Sequence, residues 1–478
     1  MGLLTPVELV GVSELGPVHF IAIGGSGMNG VASALLQLGV PVSGSDRQES
    51  KYLRALEAQG ARVFVGHDAA QLGADVGTVV ASSAIREDNP ELAEARRRGL
   101  RVLHRSAALG SIMLGRRGVA VAGTHGKTTT TGMISHVLSG VGADPSYVIG
   151  GALTGASTGG HIGAGDALVV EADESDGSFL QYPAEVAVVT NVDPDHLSNW
   201  GTAENYADGF LRFATGDALR LLVVSADDPG AVALTERVRA QGGERPRIVT
   251  FGVADGADIQ ITDASFAGTG STFALNGEAI RMSVPGDYNV WNAAAAYSVA
   301  VELGADPAAV RAELETYGGT YRRFQLIGTV DDIRVYDDYA HHPTEVANTL
   351  RAARTGVAAT GGRVVVCFQP HLYTRTRDFW RELAAALELA DQAVVMDVCG
   401  DREDPIAGID GALVAEAVAP GTAAVTYEPD WDAAAPVVAD IARPGDLVIT
   451  VGCGDVTKVA PLIVEQLAAR SPQRARER

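Results

Sequence analysis

The stretch Val119-Ala-Val-Ala-Gly-Thr-His-Gly-Lys-Thr-Thr-Thr-Thr131 constrains this chain more than any other. Its apolar start suits a buried strand. Gly123 and Gly126 then permit a tight turn, and Lys127 with a threonine run opens a helix. Strand, glycine turn and helix in succession form the layout of a loop that cradles phosphates. Backbone N–H groups at a helix N-terminus point outward unpaired and carry partial positive charge, so a triphosphate sits there readily. On this reading Gly123, Thr124, His125, Gly126 and Thr129 line the phosphates, Lys127 reaches the outer ones, and the Thr128 hydroxyl holds Mg²⁺. The usual spacing places the first glycine six residues before the lysine; Val121 stands there, so this is a tighter variant.

At 478 residues the chain has room for two to four domains. No apolar run approaches the length of a membrane span. Glu8 and Glu14 lie near the start with no basic, then apolar, leader, so no secretory signal is expected. The net charge of −22 argues against a nucleic-acid partner, which demands a basic face. Cys367, Cys399 and Cys453 are odd in number and far apart, which suits buried thiols better than disulfides or a metal site. The expectation is a cytoplasmic protein with neither nucleic-acid nor membrane partners.

Three segments emerge. Residues 18–105 alternate short apolar runs with helical patterns, as a βαβ domain does. Arg116-Arg117-Gly118 is a plausible linker. The second segment, to about Ile327, carries the phosphate loop and expected strands at Ala167–Glu171, Val186–Asn191 and Leu221–Val224. Within it, Asp258–Met282 alternates polar and apolar residues, and Asn276-Gly277 is a hairpin signal. The third segment has expected strands at Ile333–Asp337, Arg363–Gln369, Ala393–Val398 and Leu447–Val451. The expected domains are 1–115, 116–327 and 328–478.

A second glycine loop follows the first apolar run. Gly25-Ser26-Gly27-Met28-Asn29-Gly30 matches a dinucleotide fingerprint, and Asp46 ends the next strand, placed to meet a ribose hydroxyl. A redox dinucleotide and a UDP-type diphosphate would use the same physics. Further on, Glu171-Ala-Asp-Glu-Ser-Asp176 and Thr190-Asn-Val-Asp-Pro-Asp-His196 each end an apolar strand. Ligands gather at that edge of a parallel sheet. Glu171 and His196 are candidates for a second divalent ion, and hard oxygen ligands favour Mg²⁺ or Mn²⁺ over zinc.

These motifs occur in an order that resembles the Mur ligases, the ATP-dependent amide-bond ligases of peptidoglycan precursor synthesis. The resemblance is carried by Thr124–Thr130, Glu171–Asp176, Thr190–His196, Asn289-Val-Trp-Asn292, Arg322-Arg-Phe324 and Asp337–Glu345. The His19–Met28 loop, Ser82-Ser-Ala-Ile85, Asn89-Pro-Glu91 and Phe368-Gln-Pro-His371 extend it over nearly the whole chain.

The resemblance implies an α/β protein of three domains: a Rossmann-like UDP-binding domain, a central P-loop ATPase domain, and a Rossmann-like C-terminal domain that closes and meets the amino acid. It implies ATP and Mg²⁺ (or Mn²⁺), and ligation of L-alanine to the carboxylate of UDP-N-acetylmuramate through an acyl phosphate. Gly25, Ser26, Gly27, Met28, Asp46 and Ser82 would hold the sugar nucleotide. Lys127, Glu171, His196, Arg323 and His341 would serve catalysis. Thr128, Glu171 and His196 would ligate metal. Asn289 and Asn292 would face adenine, Asp338 the ribose, and His371 and Arg375 the sugar–lactate or the amino acid. The chain departs from the pattern at Tyr288, where histidine is expected, and at Leu372, where arginine is common. Alternatives are a ligase attaching a recovered tripeptide, a non-catalytic nucleotide-binding regulator, and a dinucleotide-dependent dehydrogenase. Monomer and homodimer both stay open.

Overall fold

The computed structural model describes residues 3–153, 156–268, 270–358, 360–401 and 403–474. It divides into two units. The first comprises Met1–Thr262, Ala274–Ile280 and Trp291–Thr320; the second comprises Asp263–Phe273, Arg281–Val290 and Tyr321–Arg478.

The first unit opens with five parallel strands: β1 (Val18–Ile21), β2 (Val42–Asp46), β3 (Arg62–Val65), β4 (Thr78–Ala81) and β5 (Arg101–His104), in the order β3-β2-β1-β4-β5. All four residues of β1 are buried. A strand covered on both faces needs an unbroken apolar run rather than alternation. Because β2 and β4 flank β1, the strand order reverses there. The first glycine loop leaves β1 at that reversal, which is where a parallel sheet opens a crevice.

The next sheet repeats the device. Its strands are β6 (Arg117–Ala122), β7 (Ser146–Val148), β8 (Gly160–His161), β9 (Ala167–Glu171), β10 (Val186–Val189), β11 (Leu221–Ser225), β12 (Arg247–Gly252), β13 (Ile259–Ala267), β14 (Gly270–Leu275) and β15 (Glu278–Met282). The order is β15-β14-β13-β12-β11-β10-β6-β9-β7-β8. Strand β6 lies between β9 and β10, parallel to both, so the carboxyl ends of all three share one edge. Asn276 and Gly277, at φ +50° and +84°, make the tight turn between β14 and β15 that Asn-Gly favours.

One apolar core runs through the first two sheets. It includes Phe20, Leu35, Leu109, Ile112, Met113, Val170, Phe179 and Phe210. Phe179 stacks on Phe213 with ring centres 4.9 Å apart. Burying each such side chain contributes roughly 1.5–3 kcal/mol. Small residues bring the helix Ser26–Gln37 against β8: Gly30 meets the backbone of Gly159 and Gly160, and Asn29 Oδ1 accepts from Gly159 N at 3.0 Å.

The second unit carries a six-stranded sheet of β16 (Gln325–Val330), β17 (Ile333–Asp338), β18 (Val364–Phe368), β19 (Gln392–Val395), β20 (Ala424–Tyr427) and β21 (Leu447–Val451). The order is β16-β17-β21-β18-β19-β20, with β16 antiparallel to β17 and the rest parallel. Central β18 and β21 are buried throughout. All three cysteines are free thiols, with Cys367 buried in β18.

Candidate active site

The phosphate loop is built by close packing. Gly123 has φ +137°, and a Cβ there would lie 2.0 Å from Thr190 Oγ1. Gly126 has φ +84° and ends the loop as the cap residue of the helix Lys127–Gly140. Thr124 Oγ1 donates to Asp193 O at 2.8 Å and accepts from Asp193 N at 2.9 Å. His125 N donates to Asn191 Oδ1, and His125 O accepts from Thr190 Oγ1 and Asn191 Nδ2. The segment after β10, Thr190–Asp193, thus fixes the loop.

Several helices carry side-chain caps that the helices after the two glycine loops lack. Ser50, Asn89, Thr202, Asp228 and Asp306 cap their helices by accepting first-turn N–H groups. Among the described residues, the helices Ser26–Gln37 and Lys127–Gly140 have no side-chain cap; each starts from a glycine. A helix N-terminus of this kind favours an anionic ligand.

Lys127 Nζ donates to the carbonyls of Gly123 (2.6 Å) and Thr124 (3.0 Å) and pairs with Glu174 Oε2 at 2.9 Å. Glu174 is 1% exposed, and burial pushes its carboxyl up to about 7 despite the lysine. His196 Nε2 lies 3.9 Å from Glu174 Oε1 and 3.3 Å from Asp195 Oδ2. Thr128 Oγ1 donates to Glu171 Oε1 at 2.9 Å, while Glu171 Oε2 accepts from Gly150 N at 2.7 Å. A hydroxyl and a carboxylate side by side are the hard donors that Mg²⁺ takes. Among the described residues, no three His, Cys, Asp or Glu side chains form a ready-made ion cage.

Asn292 lies on the phosphate loop. Its Oδ1 accepts from Thr130 Oγ1 at 3.0 Å, and a Cβ on Gly126 would lie 2.7 Å from that oxygen. Neighbouring Trp291 donates to Asp227 Oδ2 at 2.5 Å. Thr129 is buried in the first turn of the helix.

At the first glycine loop, Asp46 Oδ2 accepts from Gly24 N at 2.9 Å, which ties the end of β2 to the loop. Met28 is buried beneath Gly25. Ser82 turns the chain after β4 through its carbonyl, and it is Ser83 whose hydroxyl reaches Asp176, at 2.6 Å. Two residues outside the motifs complete this region. Arg105 Nη2 pairs with Asp173 Oδ2 at 2.6 Å, and its guanidinium covers Gly27. Burial alone would raise the Asp173 carboxyl; the charges of Arg105 and Lys127 hold it well below the usual range. Neither Arg105 nor Glu174 was singled out from sequence. Glu174 lies within a motif that was, and Arg105 had no signal beyond its place just after β5.

The second unit holds the other implied residues. Arg322 and Phe324 have φ +57° and +48°, an unusual backbone that brackets Arg323. Asp338 Oδ2 accepts from Phe324 N and its Oδ1 from Ala340 N and Thr349 Oγ1, so this carboxylate braces two turns. Burial pushes it up to about 6, against the pull of Arg323. The His341 ring lies 3.4 Å from Glu345 and 6.3 Å, centre to centre, from the ring of His371. Burial pushes His341 down to about 3; Glu345 opposes that shift and Arg375 adds to it. Asn289 Nδ2 donates to Pro285 O at 2.6 Å. Burial raises the Tyr288 hydroxyl, and Leu372 takes φ +66° to start the helix Tyr373–Leu387.

Three family models match: "Mur ligase family, catalytic domain" over residues 17–117, "Mur ligase middle domain" over 121–300, and "Mur ligase, glutamate ligase domain" over 322–454. The chain is 51% identical over 475 residues to a UDP-N-acetylmuramate–L-alanine ligase of Cutibacterium acnes, covering 98% of this chain and 100% of that one. It is 52% identical over 475 residues to the enzyme of that name from Kineococcus radiotolerans, covering 98% and 99%. Among solved structures, a UDP-N-acetylmuramate–alanine ligase from Thermotoga maritima matches with TM-score 0.80 and 28% identity, covering 95% of this chain and 99% of that one. A murein peptide ligase from Psychrobacter arcticus shares the fold, with TM-score 0.71, 24% identity and coverage of 94% and 98%.

Proposed function

Because the chain belongs to the Mur ligase family, we propose that it joins L-alanine to UDP-N-acetylmuramate at the expense of ATP, in cytoplasmic peptidoglycan precursor synthesis. The observation that carries the site assignment is the pair of glycine-capped, side-chain-uncapped helix N-termini, each at a strand-order reversal. One takes the UDP diphosphate at Gly25, Ser26, Gly27 and Met28, with Asp46 and Ser82 beside it. The other takes ATP at Gly123–Thr129, with Asn289 and Asn292 toward adenine and Asp338 toward the ribose. The reading keeps three domains with boundaries near 116 and 328; the third sheet itself begins with β16 at Gln325.

A carboxylate is a poor acyl donor because its leaving group would be oxide. Its oxygen therefore attacks the γ-phosphorus, the bond to the β-phosphate oxygen breaks, and ADP leaves. The alanine amine then attacks the acyl carbon, phosphate departs and the amine loses a proton. The first step sets a carboxylate against a triphosphate; two unit charges about 4 Å apart repel by roughly 4 kcal/mol at an effective dielectric near 20. Lys127 and Arg323 offset that repulsion and stabilise the transferring phosphoryl. Thr128, Glu171 and His196 would hold Mg²⁺ or Mn²⁺, which supplies charge neutralisation at the phosphates. His341 would stand near such an ion by way of water, and His371 and Arg375 would meet the sugar–lactate or the amino acid. Water must be kept from the acyl phosphate, which would otherwise hydrolyse.

The test is phosphate release from ATP with Mg²⁺ and UDP-N-acetylmuramate, adding each amino acid in turn. L-alanine should stimulate release and yield a product heavier by one alanyl residue. Stimulation by a tripeptide and not by alanine would replace this reading with that of a recycling ligase.

A further inference from the structure

Arg105 breaks a local rule. Its Nη1, Cδ and Cζ lie 3.2–3.4 Å from where a Cβ on Gly27 would stand, in the first turn of the helix Ser26–Gln37. That end of a helix carries partial positive charge and repels a cation. The side chain is only 18% exposed, so water does little to relieve the conflict. What holds it there is Asp173, at 2.6 Å, from the loop after β9. Local rules are broken mainly at functional sites, where a ligand supplies the missing complement. Here an anion at the helix N-terminus beside Ser26 and Gly27 would meet the Nη1 edge of Arg105 while Nη2 stays on Asp173.

Asp173 leads directly into the second phosphate site. Its neighbour in sequence is Glu174, which pairs with Lys127. The charges of Arg105 and Lys127 both act on Asp173. Asp173 is also held rigidly: Oδ1 accepts from Ser175 N, and its carbonyl accepts from Phe179 N and Ser178 Oγ. A shift of the guanidinium is therefore passed to the strand end that carries Glu171 and Glu174. A second link runs alongside, where Ser83 donates to Asp176.

We infer that Arg105 is a positioning residue that couples the two nucleotide sites: sugar-nucleotide diphosphate on the first glycine loop fixes Arg105, which through Asp173 sets the acidic strand end for ATP. This rests on the proposed placement of UDP-N-acetylmuramate at Gly25–Met28. Coupled sites change each other's affinity by the same factor, commonly about 5- to 150-fold.

The experiment is calorimetric titration of the full-length protein with a non-hydrolysable ATP analogue and Mg²⁺, with and without saturating UDP-N-acetylmuramate. In the unmodified protein the sugar nucleotide should tighten analogue binding by about fivefold or more. In Asp173→Asn each ligand alone should bind within about threefold of normal, and the coupling should fall below about twofold. Arg105→Lys, which keeps the charge and loses the two-sided fork, should lose the coupling and weaken sugar-nucleotide binding about tenfold. Absence of coupling in the unmodified protein, or full coupling in either variant, overturns the inference while leaving the ligand placement intact. An unmodified protein that binds the analogue but not UDP-N-acetylmuramate overturns the placement, and the inference with it.

Discussion

Lys127 Nζ lies 2.9 Å from Glu174 Oε2 and donates at the same time to the carbonyls of Gly123 and Thr124. The ammonium is thus held at the mouth of its own loop, and a triphosphate has to draw it outward in exchange for phosphate oxygens. Removing one partner of a buried ion pair strands the other, at a cost on the order of 3–5 kcal/mol. Lys127→Ala should lower phosphate release by at least about 10³-fold, the scale for losing a charge-stabilising group. It should also lower Tm by several degrees. Adding Glu174→Gln should restore Tm but not activity. A double variant with normal turnover would remove Lys127 from the chemistry.

Gly126 is required for two reasons. Its φ of +84° disfavours any residue with a Cβ, and that Cβ would press on Asn292 Oδ1 at 2.7 Å. Gly126→Ala should weaken binding of an ATP analogue by about tenfold or more; a left-handed Ala costs roughly 1–2 kcal/mol before the clash is counted. Sugar-nucleotide binding alone should be unchanged, as Gly25–Met28 is a separate loop. Calorimetry with each ligand separates the two effects, and equal losses would point to general unfolding.

Much of this was legible because buried parallel strands announce themselves. Ala167–Glu171 and Leu447–Val451 match the expected residues, and most other expected strands differ only at their ends. Those ends are set by pairing: Val186–Asn191 was expected as strand, but pairing stops at Val189, after which Thr190 and Asn191 turn to hold the phosphate loop. The glycine loops were legible because few residues satisfy a positive φ or a backbone approach as close as Gly123 on Thr190. Long-range charge pairing was not legible. Arg105 meets Asp173 across 68 residues, and one arginine among many carries no local mark of its partner. Nor does spacing reveal that Asp338 spends its oxygens on Phe324 N, Ala340 N and Thr349.

The half-buried His104 makes stability depend on pH. Burial and the neighbouring Arg105 charge push it down to about 4, against an ordinary value of 6.5, with Asp176 and Asp173 opposing. Between those values the unfolded chain binds the proton and the folded chain does not, so stability falls as pH falls from about 6.5 to about 4. At pH 5 the loss from this group is about 2 kcal/mol by linkage. His104 also caps its helix by accepting from Ser106 N. His104→Asn preserves an acceptor suited to that cap and does not titrate. Urea unfolding at pH 7 and pH 5 should show the unmodified protein losing about 2 kcal/mol more than the variant. Equal losses would assign the acid sensitivity to other groups.

Arg322 and Arg323 are adjacent yet differently employed. Arg322 is committed to structure: Nε donates to Asp337 Oδ2 at 3.1 Å, Nη2 to Gly452 O at 2.5 Å, and the guanidinium lies 4.8 Å from the Tyr339 ring centre. Its partner Asp337 is 1% exposed and also accepts from Thr450 and Thr457. Arg322→Ala should therefore destabilise the second unit, lowering Tm by several degrees. Arg323, between two residues of positive φ, lies 5.1 Å from the same ring, and its charge acts on the Asp338 carboxyl. For Arg323→Ala the expected result is a fall in kcat of about 10²-fold or more with Tm little changed. Backbone held in a rare conformation on both sides of one arginine implies that its direction is what the fold preserves. A Tm loss in Arg323→Ala with normal kcat would reverse the assignment and make Arg323 the brace.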